Sequence, residues 1–309
     1  MSRLLHNPHD KFVRETFSDP ERARAFIEEF LPNEFVLNLD LPSLKVLKDS
    51  YLDKELKEYF SDLIFDLEIR GIKKEKLKIA LLFEHKSAPD KFVLIQVGYY
   101  LFSHWFKQIR QRKKLDLVIP LIYYQGKQKW EVPDLLNHFK DYPEELKKYV
   151  PQLKHIFIAL NEIPDSQLNA IRNTMLLAAI TAQKFIKNPN TIIEDVKRIM
   201  NLFPPEDFNK NFLGKITVYI LGITSLSEKQ LAEALDSIPL TIKENVMSTY
   251  HRLINIGIEK GMEKGQNVMR KEMILALFDD GIGIGQIAKY AKISEEEVIK
   301  ILTDNNRKV

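Results

Sequence analysis

Cysteine is absent from all 309 residues, which removes disulfides, thiolate metal sites and a cysteine nucleophile in one step. Long apolar runs are absent as well. The longest stretch near mid-chain, Leu115 to Tyr124, is interrupted by Asp116 and Pro120 and is too short to span a bilayer. The opening Met1-Ser2-Arg3-Leu4-Leu5-His6-Asn7-Pro8 lacks the apolar core of a signal peptide, so a cytoplasmic protein with no membrane partner is expected. Neither charge is in excess. With 46 basic residues against 43 acidic ones, the net charge is +3, which excludes a histone-like binder and an acidic disordered tail but permits a local basic groove. Tandem repeats and low-complexity tracts are missing too. What is present is an ordinary globular composition, 45% hydrophobic and 29% charged, long enough for about two domains and a sizeable core.

Asp10 to Leu31 carries Phe12, Val13, Phe17, Ala23, Phe26, Ile27 and Phe30 near helical spacing, with a break at Ser18-Asp19-Pro20 and a stop at Pro32. Leu44 to Tyr51 is a short strand candidate. The period then changes to two. Leu63, Phe65, Leu67 and Ile69 line one face of the next strand, and Leu77, Ile79, Leu81, Phe83 and His85 line one face of the one after it. A polar turn from Arg70 to Lys76 joins them. Centring that turn on Lys73 sets Leu63 opposite Phe83, Glu68 opposite Lys78 and Asp66 opposite Ala80. It also sets Asp62 opposite Glu84 at the open end of the hairpin. From Pro89-Asp90 to about Lys114 the spacing predicts a helix with Phe92, Ile95, Tyr99, Phe102 and Phe106 as its buried stripe. The β-branched run Leu115 to Tyr124 predicts a buried strand, completing a right-handed βαβ crossover with parallel pairing. Another short strand is expected through Ile156, Phe157 and Ile158.

The sharpest chemistry lies at the hairpin's open end. Glu84 and Lys86 are two apart on a strand and share a side, with Asp62 beside Glu84 in the expected register. Two carboxylates suit a hard divalent cation such as Mg²⁺. A metal there can bind a phosphodiester oxygen and activate water, while a lysine steadies that water or the developing charge. The structural alternative is an acidic pair at a strand edge neutralised by a lysine. Charges at the end of the apolar strand Ile79-Ala80-Leu81-Leu82-Phe83 argue for the chemical reading.

The order αβββαβ with Asp…Glu-x-Lys resembles the PD-(D/E)XK nuclease superfamily. More narrowly, the chain is similar to the recombination-promoting nuclease / putative transposase family. The similar strings are His9-Asp10, Phe17-Ser18-Asp19-Pro20-Glu21, Phe30-Leu31-Pro32 and Tyr59-Phe60-Ser61-Asp62-Leu63. Further on come Glu84-His85-Lys86-Ser87 with Pro89-Asp90-Lys91, Val118-Ile119-Pro120-Leu121-Ile122-Tyr123-Tyr124-Gln125-Gly126, and the tail Gly257-Ile258-Glu259-Lys260-Gly261. The resemblance implies an α/β restriction-endonuclease-like core and metal-dependent DNA cleavage. Asp62 and Glu84 would be metal ligands for Mg²⁺ (Mn²⁺ or Ca²⁺ as substitutes), and Lys86 the catalytic lysine. Many relatives carry Gln at that last position, so lysine here matches the superfamily's stricter pattern. Asn161 stands where relatives often have Asp and is assigned no role.

Gln96 and Tyr100, four apart on the helix after Lys86, share a face beside the site. Their Gln-x-x-x-Tyr spacing resembles a motif of lambda-exonuclease-like and RecB-like nucleases, which would make Gln96 catalytic and Tyr100 a DNA contact. A helix-rim pairing is the alternative. Asp10 reads as a helix N-cap with a possible contribution to the site. Lys107, Arg110, Arg112, Lys113 and Lys114 form a basic run for phosphate contact, although cations also complement a helix C-terminus. The lysines around the hairpin turn, at the end remote from Asp62, read as solvated. His6, His9, His85 and His104 show no zinc spacing, and His85 reads as a core residue.

The organisation expected is a nuclease core over 1–165, a helical region packed on it over 166–254, and a glycine-punctuated arm over 255–309. Gly257, Gly261 and Gly265 recur every four residues beside Ile254, Ile258 and Met262. They suit either a close helix pair joining two protomers or a flexible connector. Lys271 to Asp280, Gly285 to Ala291 and Ser294 to Leu302 resemble a helix-turn-helix, but the third helix opens Ser294-Glu295-Glu296-Glu297, which repels phosphate. A metal-dependent DNA endonuclease working as a homodimer is the reading these features favour. A DNA-binding or assembly protein that keeps the fold without turnover is the alternative.

Overall fold

Prolines set the first elements. The computed structural model describes residues 8–48, 63–71, 76–84, 89–185, 190–206 and 209–307. Its chain opens with α1 (Pro8–Phe17) and α2 (Pro20–Phe30). The break at Ser18-Asp19-Pro20 is a full separation, because Pro20 has no N–H to continue α1 and is pre-organised to begin α2. Asp19 caps α2 by accepting the Arg22 N–H at 3.0 Å. The buried Arg22 guanidinium turns back to donate to the carbonyls of Thr16 (2.7 Å) and Glu15 (3.0 Å), satisfying the last turn of α1. Asp10 lies inside α1, not at its cap, and pairs with Arg14 at 3.7 Å; Pro8 takes the first helical position. A short α3 (Asn33–Val36) leads into β1.

The five strands are β1 (Leu39–Lys48), β2 (Leu63–Ile69), β3 (Lys76–Glu84), β4 (Leu117–Tyr124) and β5 (Ile156–Ala159), in spatial order β1-β2-β3-β4-β5. Pairing is antiparallel from β1 to β3 and parallel from β3 to β5. β1 begins earlier than the sequence suggests. Its ladder shifts register between Asp40 and Lys45, where Pro42 has no N–H to give. Across that irregularity the Ser43 hydroxyl accepts the Glu68 N–H at 2.8 Å, replacing a ladder bond.

The hairpin register differs from expectation by two residues. Leu63 faces Leu81 rather than Phe83, Asp66 faces Lys78 rather than Ala80, and Glu68 faces Lys76 rather than Lys78. A slip of two leaves every side chain on its original face, so the apolar pattern has no power to exclude it. Gly71, which follows β2, adopts a left-handed φ of 79°.

The sheet is covered on both faces. Leu63, Phe65, Leu67, Leu121 and Tyr123 pack against α1, α2 and the helix Thr174–Phe185. Phe17, Phe26 and Tyr123 make edge-to-face contacts at 4.7–6.0 Å, and full burial of each such ring contributes about 2–3 kcal/mol. On the other face Ile64, Val118, Ile122 and Tyr124 pack against α4 (Val93–Arg110). The apolar stripe expected to be buried on α4 faces outward: Phe92, Ile95, Tyr99, Phe102 and Phe106 are 46–63% exposed. Val93, Leu94, Val97, Tyr100 and Leu101 fill the core in their place. This helix is apolar all round, so periodicity could not say which side faces the sheet.

The chain divides into two compact units, 1–249 and 250–309. The helix Leu240–Asp279 contains all three arm glycines, and a Cβ at Gly261 or Gly265 would meet nothing within 4 Å. In the second unit, Ile274, Ile287, Ala288, Ala291, Val298 and Leu302 make a small core beneath the helices Ile284–Ala291 and Glu295–Asp304. Ser294 and Glu297 form a capping box.

Gly71→Ala should destabilise the chain by about 1 kcal/mol, because alanine resists the left-handed φ the turn requires. Gly71→Asn should cost less. Denaturant midpoints check this, and an unchanged midpoint for Gly71→Ala contradicts a backbone cost at this φ.

Candidate functional site

β2 begins at Leu63, the residue after Asp62 in the chain, and β3 ends at Glu84. Antiparallel pairing brings the start of β2 and the end of β3 to one end of the hairpin. There Glu84 is in register with Tyr124, the last residue of β4, and Tyr124 with Ala159, the last residue of β5. Three parallel strands thus deliver their carboxyl ends to one edge, the edge where open α/β sheets gather ligands. The expected opposition of Asp62 and Glu84 rests on pairing Leu63 with Phe83, and the ladder pairs Leu63 with Leu81 instead; Asp62, His85 and Lys86 themselves lie outside the described residues. Among the described residues no group of three or more His, Asp or Glu side chains is gathered to hold a metal. The donors that the sequence assigns, two carboxylates, have the hard-oxygen chemistry that Mg²⁺ prefers.

α4 starts at this same edge. The Asp90 carboxylate accepts the Phe92 N–H at 2.9 Å and the Gln96 side-chain amide at 3.3 Å. Gln96 is half-buried and held against the helix start. Tyr100, one turn further, is 1% exposed and belongs to the core with Val97, Leu101 and Ile122. It is a packing residue and not the DNA contact expected of it. The sheet covers the Tyr100 side of α4, while Gln96 lies at the half-buried rim of its first turn.

The basic run also needs correction in place. Lys107 is half-buried, and Arg110, Arg112, Lys113 and Lys114 are exposed. They precede Leu117, which is in register with Leu77 at the turn end of the hairpin. Seven strand steps of about 3.3 Å put that end roughly 23 Å from Tyr124 and Glu84. Phosphate contact by this run would be remote from Glu84, as it would be for the hairpin-turn lysines. The run is held firmly all the same. Arg112 takes a left-handed φ of 54°, Lys113 donates its N–H to the Gln108 carbonyl at 2.9 Å, and Trp105 donates to the Asp116 carbonyl at 2.9 Å. Gln108 and Asp116 clasp each other, Gln108 Nε2 donating to the carboxylate while the Asp116 N–H donates to Gln108 Oε1 at 3.1 Å. Sequence reasoning gave these clasping residues no part, because partners eight apart across a helix end leave no periodic signal.

On the opposite sheet face, at the same carboxyl edge, lies a cleft of about 580 Å³ lined by Gln125, Lys127, Asn161, Lys184, Asp195 and Arg198, among others. Beside it the Tyr123 hydroxyl donates to the buried Gln183 side chain at 3.2 Å, and the Gln125 amide donates to the same oxygen. Burial holds the Tyr123 phenol well above its ordinary range, so it stays a donor. Lys184 donates to the Ile163 carbonyl and pairs with Asp165 at 3.0 Å. Burial raises the Asp195 carboxyl, against the Thr191 hydroxyl that donates to it at 2.7 Å. Asn161, given no role from sequence, donates its amide to the carbonyls of Lys127 (3.3 Å) and Gln128 (3.1 Å), pinning the loop after β4. An aspartate there would offer only acceptors to two carbonyls. The string Tyr124-Gln125-Gly126 was the one available signal for this edge.

A family model described as "Putative transposase, YhgA-like" matches residues 7–211. The chain is 25% identical over 279 residues to the inactive recombination-promoting nuclease-like protein RpnE of Escherichia coli strain K12, covering 89% of this chain and 91% of that protein. It is 26% identical over 255 residues to the recombination-promoting nuclease RpnD of Escherichia coli O157:H7, covering 80% and 94%. With the recombination-promoting nuclease RpnA of strain K12 it shares 23% identity over 297 residues, 94% of this chain and 96% of that one. No solved structure matches.

At the edge itself Gly126 is irreplaceable on steric grounds. A Cβ there would lie 1.8 Å from the Tyr124 hydroxyl. Gly126→Ala should therefore destabilise the fold by on the order of 2–3 kcal/mol, as overpacking of a tight site does. Chemical denaturation measures it, and a wild-type midpoint would mean that Tyr124 moves aside without cost.

Proposed function

The chain belongs to the YhgA-like putative transposase family, and from that membership we propose that it is a metal-dependent DNA endonuclease acting in recombination or transposition. Its first half would be a PD-(D/E)XK core. The observation that carries this reading is the shared edge: β2 starts directly after Asp62, β3 ends at Glu84, and the hairpin brings those ends together. Asp62 and Glu84 are the residues that would hold Mg²⁺. When bound, the ion supplies Lewis acidity toward a phosphodiester oxygen. Lys86 contributes a fixed positive charge that steadies the attacking water and offsets negative charge developing on the phosphate. Gln96, anchored by Asp90 at the start of α4, orients solvent at the rim of the same edge. Lys107, Arg110, Arg112 and Lys113 sit far enough away to meet the backbone of a duplex beyond the cut point, where contacts position without reading sequence.

A second reading has a specific observation behind it, since one relative of nearly equal length is named inactive. In that reading the protein binds DNA with strong salt dependence and releases no metal-dependent products. Asp62, Glu84 and Lys86 are all present in the sequence, which favours turnover.

Plasmid cleavage in Mg²⁺, Mn²⁺ or Ca²⁺ separates the two. Wild type should nick or linearise the plasmid with Mg²⁺ or Mn²⁺, and Asp62→Ala, Glu84→Ala and Lys86→Ala should each lower the rate by roughly 10²-fold or more. Equal cleavage by all four proteins removes this site from consideration. Salt-sensitive binding with no cleavage in any metal favours the second reading.

A further inference from the structure

The outward side of α4 has no place in the chemistry above, yet it is the least ordinary surface of the first unit. From Phe92 to Phe106 the sequence contains no Asp, Glu, Lys or Arg. A helix that is apolar all round belongs in an interior. Half of α4 meets that requirement, through Val93, Leu94, Val97, Tyr100 and Leu101 in the core. The other half stands open: Phe92 is 46% exposed, Ile95 51%, Tyr99 55%, Phe102 51%, Phe106 63% and Ile109 57%.

These six residues are spaced 3-4-3-4-3, the period of a seam that takes another helix of the same kind. The spacing is also a palindrome. Laid antiparallel on a copy of itself, the stripe pairs Phe92 with Ile109, Ile95 with Phe106 and Tyr99 with Phe102, all in one register about a twofold axis between Tyr99 and Phe102. This is the self-complementarity that an isologous dimer requires. Gln96, Ser103 and Trp105 flank the stripe without charge, as the core of an interface does.

Charge selects the direction. Parallel pairing would bring Lys107, Arg110, Arg112, Lys113 and Lys114 of both copies together and align the two helix dipoles. Antiparallel pairing separates the two basic ends, sets each beside the other helix's Asp90-Lys91 end, where the charges balance, and opposes the two dipoles. The area is sufficient as well. Half-exposed side chains of this size leave roughly 600 Å² of apolar surface per copy, so two copies bury about 1,200 Å², the lower bound of a specific interface.

We propose that the outer face of α4 is a homodimer interface, an antiparallel helix pair with a second copy of this chain centred between Tyr99 and Phe102. The proposal stands on exposure, spacing and charge, and holds whether or not the chain cuts DNA. It differs from joining through the arm beyond residue 250.

Light scattering on the full chain should give twice the 36.2 kDa of one copy at micromolar concentration. The double variant Phe102→Glu, Phe106→Glu should give 36.2 kDa with an unchanged far-ultraviolet circular dichroism spectrum, since both side chains are exposed. The cysteine-free sequence permits a second test that needs no charge substitution. In an antiparallel seam Phe102→Cys lies close to its counterpart, and a short bis-maleimide should crosslink it in high yield. Phe92→Cys lies about 25 Å from its counterpart along the seam and should stay uncrosslinked. A monomeric wild type, a double variant that stays dimeric, or crosslinking at Phe92→Cys but not at Phe102→Cys would each overturn the proposal.

Discussion

β3 is hydrogen-bonded on both sides, antiparallel to β2 through Lys76–Leu81 and parallel to β4 through Leu77–Glu84, so two ladders fix the strand that ends at residue 84. A strand pinned from both sides cannot slip without breaking both. The consequence is positional. The start of β2 and the carboxyl ends of β3, β4 and β5 meet at one edge, and Glu84 takes the last position of β3 there.

The two helical layers serve that edge differently. On one face α1, α2 and the helix Thr174–Phe185 bury an aromatic cluster around Phe17, Phe26 and Tyr123. They reach the carboxyl edge through the Gln125–Gln183–Tyr123 network. On the other face α4 begins beside the edge, with Asp90 and Gln96, and ends at the far side of the sheet, where Gln108 and Asp116 clasp each other beside the basic run. The Asp90–Gln96 pair and the basic run thereby lie at opposite ends of one helix.

How much of this was legible in the sequence follows from what each pattern can encode. Alternation of Leu63, Phe65 and Leu67 with Ile64 fixes faces, and those faces are as expected. It cannot encode a slip of two, which leaves every face unchanged. Periodicity found α4 but not its inward side, because both halves of the helix are apolar. A basic run can be seen in one dimension, whereas its distance from Glu84 depends on the direction in which α4 and β4 run. Asn161 and the Gln108–Asp116 clasp are contacts between segments with no shared period, so they become visible only in three dimensions. The Asp62…Glu84-x-Lys86 pattern was read from sequence and family resemblance together.

The proposed metal site is tested most directly by Mn²⁺ binding to the full chain, followed by electron paramagnetic resonance. The account expects one strongly bound Mn²⁺ per chain in the wild type, lost in Asp62→Asn and in Glu84→Gln and retained in Lys86→Ala, whose side chain is no ligand. Mn²⁺ binding that survives both carboxylate substitutions would contradict the assignment of Asp62 and Glu84 as its ligands.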